Sequence, residues 1–294
     1  MRMRRELFPL MADARLAVAC LVALSLLAMG GAAVAETNSL PLKKVEFSFE
    51  GPFGKFDKAE VQRGAKVYME VCSSCHGMSL MSYRNLCQVG GPFYSDKHKN
   101  PNEAPICKAI AGDVKVPDID QDTGDAITRP ATPADHFKNP YPNEQAARAS
   151  NGGALPPDLS DMARAREGGP AYIYSILTGY VAVPGGLTVP AGKYYNPYMP
   201  GDMGSYWSGP KDKAPAGGFI AMPFQLTPGR VTFDDGTPST TDNQAKAVSS
   251  FLAWTAEPHQ TERKQMGFAV LAFLIGFAVL MWLAYKQLWK NIEH

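Results

Sequence analysis

Excess charge of either sign is missing from this sequence: 29 Lys and Arg stand against 28 Asp and Glu, a formal net charge of +1. Without a basic surplus there is no electrostatic footprint for nucleic acid. Low-complexity tracts and internal repeats are missing too, so the chain reads as neither a disordered segment nor a solenoid. Cysteine is scarce, five in 294 residues, and the place of each one therefore carries weight. What is present is enough apolar content, 45%, for one sizeable core, and enough Gly and Pro, 27 and 24, to predict long ordered loops.

Two of the five cysteines stand in Cys72-Ser73-Ser74-Cys75-His76. A Cys-x-x-Cys-His run is the attachment signature of a c-type haem. Each thiol forms a thioether with one vinyl group, and the adjacent imidazole supplies the proximal nitrogen to iron. A thioredoxin-like pair is one alternative, but it sits between strand and helix and lacks the following histidine. A zinc site drawing in Cys87 and Cys107 is another, and that second pair lacks ligand-like spacing. A chance match in a structural loop is the third. The preceding residues favour haem: Asp57-Lys58-Ala59-Glu60 forms a capping box, and Val61, Gly64, Ala65, Tyr68 and Val71 recur at helical spacing. Gly64 is placed to let a second helix cross closely.

The two ends read as segments outside the soluble body. Arg2, Arg4, Arg5 and Arg15 precede an apolar run from Leu16 to Met29, and Ala33-Val34-Ala35 is a small-x-small cleavage site. Residues 1–35 thus read as a secretory signal peptide, removed together with Cys20, leaving Glu36 as the mature N-terminus. An uncleaved N-terminal anchor is the alternative. Met266 to Tyr285 carries no charge, and about twenty residues at 1.5 Å each span the roughly 30 Å hydrocarbon core of a bilayer. Trp282, Tyr285 and Trp289 lie where an aromatic belt would sit. A buried core helix would normally show a polar face. Residues 262–294 therefore read as a C-terminal transmembrane anchor with a short cytoplasmic tail. Lysines and arginines flank the span on both sides, so charge alone does not orient it; export of the body does. The expected location is the bacterial inner membrane, single-pass, with residues 36–261 on the periplasmic side.

Charge is reassessed on that body. Residues 1–35 hold four basic and two acidic side chains and residues 262–294 hold the same, leaving 21 basic against 24 acidic for residues 36–261. This mild acidity permits a basic partner. Val45, Phe47 and Phe49 alternate as in a short strand. From Met78 to about Pro142 the chain is Pro- and Gly-punctuated with few periodic stretches. Cys87 and Cys107 lie there, and in an oxidising compartment two leftover cysteines pair; a disulfide is expected, two buried thiols being the alternative. Asp113, Asp118, Asp120, Asp122 and Asp125 read as a solvated loop, with a docking surface for a cationic protein as the functional alternative. Residues 143–180 regain regularity, with a helix starting at Gly168-Gly169-Pro170. Residues 181–218 read as a long Gly/Pro/Tyr loop. Asp234-Asp235-Gly236 is a turn, and Asp242 is expected to cap a last helix carrying Ala245, Val248, Leu252 and Thr255, ended by Pro258. The expected fold is mainly α, a single-haem cytochrome c-like fold with long loops and insertions plus one C-terminal transmembrane helix.

An ordered set of motifs resembles the cytochrome c1 family, the haem subunits of quinol–cytochrome c reductase, the bc1 complex. It runs Phe47-Ser48-Phe49-Glu50-Gly51, the Cys72–His76 motif, Tyr141-Pro142-Asn143-Glu144, Asn151 through Ser160, Tyr195-Asn196-Pro197-Tyr198, Phe233 through Pro238, and Trp254-Thr255-Ala256-Glu257-Pro258 directly before the anchor. The resemblance implies one covalent haem c ligated by His76 and by a methionine that falls at Met222. From spacing alone Met199 and Met203 compete for that place. It further implies propionate contacts from Arg166, with Arg164 its neighbour in the Ala-Arg-Ala-Arg stretch, and from Tyr172, with Asn151 a further candidate and Pro157 packing on the ring. Cys87 and Cys107 are not mapped by the resemblance.

The implied function is electron transfer without bond-making chemistry on this chain. One electron would pass from the Rieske iron–sulfur protein to a soluble c-type cytochrome, within a membrane complex that includes cytochrome b and is implied to be dimeric. Alternatives of other classes are a membrane-anchored cytochrome subunit of a terminal oxidase and a haem-based sensor or peroxidase, which would need an open iron site.

Overall fold

The computed structural model describes residues 38–290. The signal-peptide reading of residues 1–35 lies outside them, as does the tail from 291. The first helix of the head, α1 (Lys58–Glu70), begins where Asp57 accepts a hydrogen bond from the Glu60 amide. It buries Val61, Ala65, Val67 and Tyr68 and leaves Lys58 and Glu70 exposed. That face packs on α5 (Thr241–Ala256), which buries Ala245, Val248, Phe251, Leu252 and Trp254. The helices cross at Gly64, where a Cβ would lie 2.0 Å from the Ala247 carbonyl oxygen. Every Val, Leu or Phe fully buried in such a seam contributes about 1.5–3 kcal/mol.

Polar contacts fix how the two helices sit. Lys66 pairs with Asp234 at 2.8 Å and Arg63 with Asp235, so the 234–236 turn, with Gly236 at φ +75°, is fastened to α1. On the other side, Trp254 Nε1 donates to the Gly90 carbonyl at 2.9 Å. The N-cap of α5 is Thr240, whose hydroxyl accepts from the Asn243 amide; Asp242, expected as the cap, lies in the first turn. Its carboxylate accepts instead from the Tyr174 hydroxyl of α4 (Gly169–Leu177), which joins the third helix of the core to α5.

Residues 43–49 are not a strand. Phe47 and Phe49 alternate into the core as expected, but the backbone finds no ladder partner: the Lys43 amide donates to Ser175 Oγ, and Glu50 turns back onto the Phe47 carbonyl. The stretch between 78 and 142 holds more regular structure than its composition suggests. Helix α2 (Pro105–Gly112) and the antiparallel hairpin β1 (Lys115–Ile119) and β2 (Ala126–Pro130) lie within it. A short helix, α3 (Glu144–Ser150), follows, capped by the Asn143 side chain. The 181–218 segment carries β3 (Tyr194–Asn196), which pairs with β4 (Gly218–Ile220) over a small separate cluster of Leu187, Tyr195 and Met203.

Cys87 and Cys107 are joined in a disulfide that ties the 83–87 turn to α2, in the core and away from water. The bond closes a loop with a sequence separation of 20, for which chain entropy gives about 3 kcal/mol. A chain with both cysteines replaced by alanine is expected to lose that much in urea-unfolding stability while keeping its absorbance spectrum.

The acidic segment is the tip of the hairpin rather than a plain loop. Asp120 folds its carboxylate onto the Asp122 and Thr123 amides, and Asp118 pairs with Arg129 at 2.6 Å. Arg129 also grips Asp135 through two bonds of 2.7 and 2.9 Å, and this guanidinium holds the Asp135 carboxyl far below the usual carboxylate range. A depressed native value means that the pairing stabilises at pH values above about 4 and is lost as acid carries Asp135 through its lower native value. Asp135→Asn is expected to cost about 1 kcal/mol at pH 7, since the pair is partly solvated. In urea titrations the difference from wild type should shrink steadily below that range.

Helix α6 (Gln260–Leu288) is apolar enough to cross a membrane, with a mean hydropathy of 2.4 over its most apolar window. It starts two residues earlier than the expected anchor boundary. None of that apolar window is buried against the rest of the protein. Such a helix must find its cover in lipid or in other chains.

Candidate haem site

The site is built at the end of α1. After Glu70 the chain tightens into a single 3₁₀ turn, Cys72–Ser74, in which the amides of Cys75 and His76 both donate to the Cys72 carbonyl at 3.1 and 2.9 Å. Cys75 is the cap of this turn, three positions after Cys72. Ser73 and Ser74 cap the helix end by donating to the Met69 and Val71 carbonyls. Both thiols are free, whereas the chain's other described pair is bonded. Burial pushes the unlinked Cys72 thiol up to about 12, with Cys75 adding to the shift, so the thiol is neutral at physiological pH.

His76 is held from behind. Its Nδ1 lies 2.8 Å from the carbonyl oxygen of Pro157, an acceptor only, so Nδ1 carries the proton and Nε2 keeps its lone pair. Burial lowers the imidazole pKa, opposed in part by that hydrogen bond and by Asp158, which keeps the ring neutral at neutral pH. Three further bonds clamp 158–160 onto 77–80. The Leu159 amide donates to the Gly77 carbonyl at 2.8 Å, the Ser79 amide to Asp158 at 2.8 Å, and the Leu80 amide to Ser160 Oγ at 3.0 Å. Tyr68, one helical turn before the motif, donates to the His76 carbonyl at 3.2 Å. Two thiols and a neutral imidazole of fixed tautomer, all within five residues, match what a covalently attached haem requires.

The other expected residues are dispersed. Pro157, expected to pack on a ring, reaches His76 through its carbonyl. Met222 is half-buried directly after β4, and its carbonyl accepts from the Tyr180 hydroxyl at 2.8 Å. Its rivals are engaged: Met199 Sδ meets the Tyr172 hydroxyl at 3.6 Å, and Met203 is buried in the small cluster beside Tyr195. Arg166 is exposed and donates to the Ala165 carbonyl, and Asn151 Nδ2 donates to the Ala147 carbonyl. Among the described residues, the side chains of Arg166, Tyr172 and Asn151 make no hydrogen bond to the Cys72–His76 turn. Tyr68, Asp158, Ser160 and Tyr180 were given no role at the site by the sequence reading. Tyr68 offered a signal through its helical register with the motif, and Asp158 and Ser160 through the 151–160 stretch that carries the family resemblance.

The Cytochrome C1 family matches residues 47–292. A Cytochrome b/c1 of Bradyrhizobium diazoefficiens is 45% identical over 265 residues, 84% of this chain. This chain spans only 35% of that protein's length. A Cytochrome c1 of Rhodospirillum rubrum is 41% identical over 285 residues, 91% of this chain and 94% of the relative. A mitochondrial cytochrome c1 heme protein of Arabidopsis thaliana is 41% identical over 245 residues, 83% of this chain and 71% of its own.

Proposed function

The chain belongs to the cytochrome c1 family, and from that premise we propose that it is the membrane-anchored, haem-carrying electron-transfer subunit of a quinol–cytochrome c oxidoreductase, working beside cytochrome b and a Rieske protein. It carries one electron from the reduced Rieske centre to a soluble c-type cytochrome, in a complex that is dimeric. Its head lies on the periplasmic side of the inner membrane, held by α6. The observation that carries this reading is the turn at 72–76: two free thiols, followed by an imidazole whose back nitrogen is already spoken for.

When bound, the haem supplies a one-electron iron couple, raised in potential by a thioether ligand. This chain's residues do the rest. Cys72 and Cys75 would tether the group covalently, a single copy per chain. The Pro157 carbonyl holds the Nδ1 side of His76, which leaves the Nε2 lone pair available to bind iron, and the clamp at 158–160 fixes the backbone on either side. Met222, its backbone steadied by the Tyr180 hydroxyl, would supply the second ligand to the iron. Arg166 and Tyr172 would receive the propionates, with Asn151 a further candidate, and a guanidinium there would make a charge-assisted, bidentate contact. Ligated by both His76 and Met222, the iron would offer no place for oxygen or a substrate. A sensor or peroxidase is therefore not favoured, nor is an oxidase subunit, given a family match that spans head and anchor alike.

The test is direct. Membranes solubilised in mild detergent and fractionated should show quinol-dependent cytochrome c reduction in the fractions holding this chain, together with a dihaem cytochrome b and a Rieske protein. Reduced protein that changes its spectrum markedly under carbon monoxide would overturn the closed-iron reading.

A further inference from the structure

One small loop of the head meets the anchor, beside an ion pair between Arg263 of α6 and Glu257 at 2.6 Å. Residues 50–54, Glu-Gly-Pro-Phe-Gly, turn sharply, with Gly51 at φ +69° and Gly54 so close to the Glu50 carbonyl that a Cβ would lie 1.9 Å from it. Lys264 of α6 reaches into this turn, and its ammonium donates to the carbonyls of Phe49 at 2.6 Å, Gly51 at 2.7 Å and Gly54 at 3.5 Å. The loop then projects Phe53 along the helix, stacked on Phe268 with ring centroids 4.9 Å apart and planes 2° from parallel. Only one face of the ring is covered, and Phe53 remains 79% exposed.

An aromatic ring so exposed is unfavourable in water, and its depth says where it sits. The uncharged run of α6 begins at Met266. Phe268 lies four residues beyond Lys264, about 6 Å further along the axis. Phe53 is thus level with the first turn of the apolar span, while the Lys264 charge stays at the height where headgroups lie. The backbone is suited to the same place. Pro52 has no N–H to satisfy, and the lysine donates hydrogen bonds to carbonyls that would be costly to bury unpaired.

We propose that loop 50–54 is a second membrane contact, with Phe53 inserted into the acyl–headgroup boundary of the lipid bilayer beside Phe268. The head is then fixed at two points, the helix and the loop, rather than swivelling on one. The partner is lipid: the ring lies at the depth of the span's first turn, on a loop whose tip, Gly-Pro-Phe-Gly, carries no charged side chain to pair with a protein.

This inference rests on reading α6 as a membrane span, and the experiment separates the two. The intact complex, reconstituted in lipid nanodiscs, is spin-labelled in turn at Phe53→Cys, Phe268→Cys and, as a water-exposed control on the hairpin, Ile127→Cys. Collision rates with oxygen, which partitions into lipid, are compared with those of a water-soluble nickel chelate. Labels at 53 and 268 are expected to favour oxygen several-fold, and the label at 127 to favour nickel. A label at 53 that behaves like the one at 127, while 268 favours oxygen, overturns the inference. A label at 53 shielded from both reagents also overturns it, by placing a protein subunit on the loop. A label at 268 that behaves like 127 would instead overturn the reading of α6 as a span.

Discussion

Met222→Leu is expected to leave the haem attached and the head folded but to lower the midpoint potential by on the order of 0.3 V, within the roughly 0.8 V that axial ligands command. Leucine nearly matches methionine in volume, so packing loses little, roughly 1 kcal/mol or less. On the proposed ligation, what it removes is the thioether that favours ferrous iron. For a one-electron couple each 59 mV is tenfold, so a drop of about 0.3 V moves the equilibrium with any redox partner by roughly five decades. Transfer from the Rieske protein should then fail although the complex assembles, and the reduced variant should bind carbon monoxide at its vacated position. Potentiometric titration of the variant decides the matter. An unchanged potential would remove Met222 from the iron. Met199→Leu serves as the comparison, because its sulfur already faces the Tyr172 hydroxyl, and it is expected to leave the potential where it was.

Gly64→Ala is the second large effect, and it acts on the fold. The added methyl would stand 2.0 Å from the Ala247 carbonyl oxygen and 2.6 Å from the Phe251 Cβ. The first of these is helix backbone, which cannot move aside without parting α1 from α5. Alanine's better helix propensity returns at most about 1 kcal/mol. Overpacking against rigid backbone outweighs it, for a net loss of about 3 kcal/mol or more. For a body of this size that corresponds to a fall in Tm of about 6–12 °C, readable by circular dichroism. Gly112→Ala, where nothing lies within 4 Å of the new atom, should leave Tm unchanged or slightly raised.

How much of this was legible beforehand follows from the length scale of each signal. Helix α1 announced itself through thirteen residues of clean period and a capping Asp57. The hairpin did not. In β1 only Val116 is buried and Pro117 interrupts the run, while β2 is exposed at four positions of five, so no alternation could be seen. Helices α2 and α3, eight and seven residues long, are too short for periodicity, though Pro105 at the first turn of one and Asn143 capping the other were available cues. Thr240 took the cap expected of Asp242 because Tyr174 claims that carboxylate.

The sequence by itself determined the chemistry: which two cysteines are spaced to hold a haem, which histidine follows them, and which twenty residues carry no charge. Those are properties of near neighbours along the chain, and covalent spacing settles them. Only the tertiary structure decided what supports that chemistry. The carbonyl that orients His76 comes from Pro157, 81 residues away, and the hydroxyl behind Met222 comes from Tyr180. The ammonium that binds the head to its anchor comes from Lys264, more than two hundred residues beyond the carbonyls it serves. A backbone oxygen is the same in every residue, so nothing in the order of side chains can mark which one will be used.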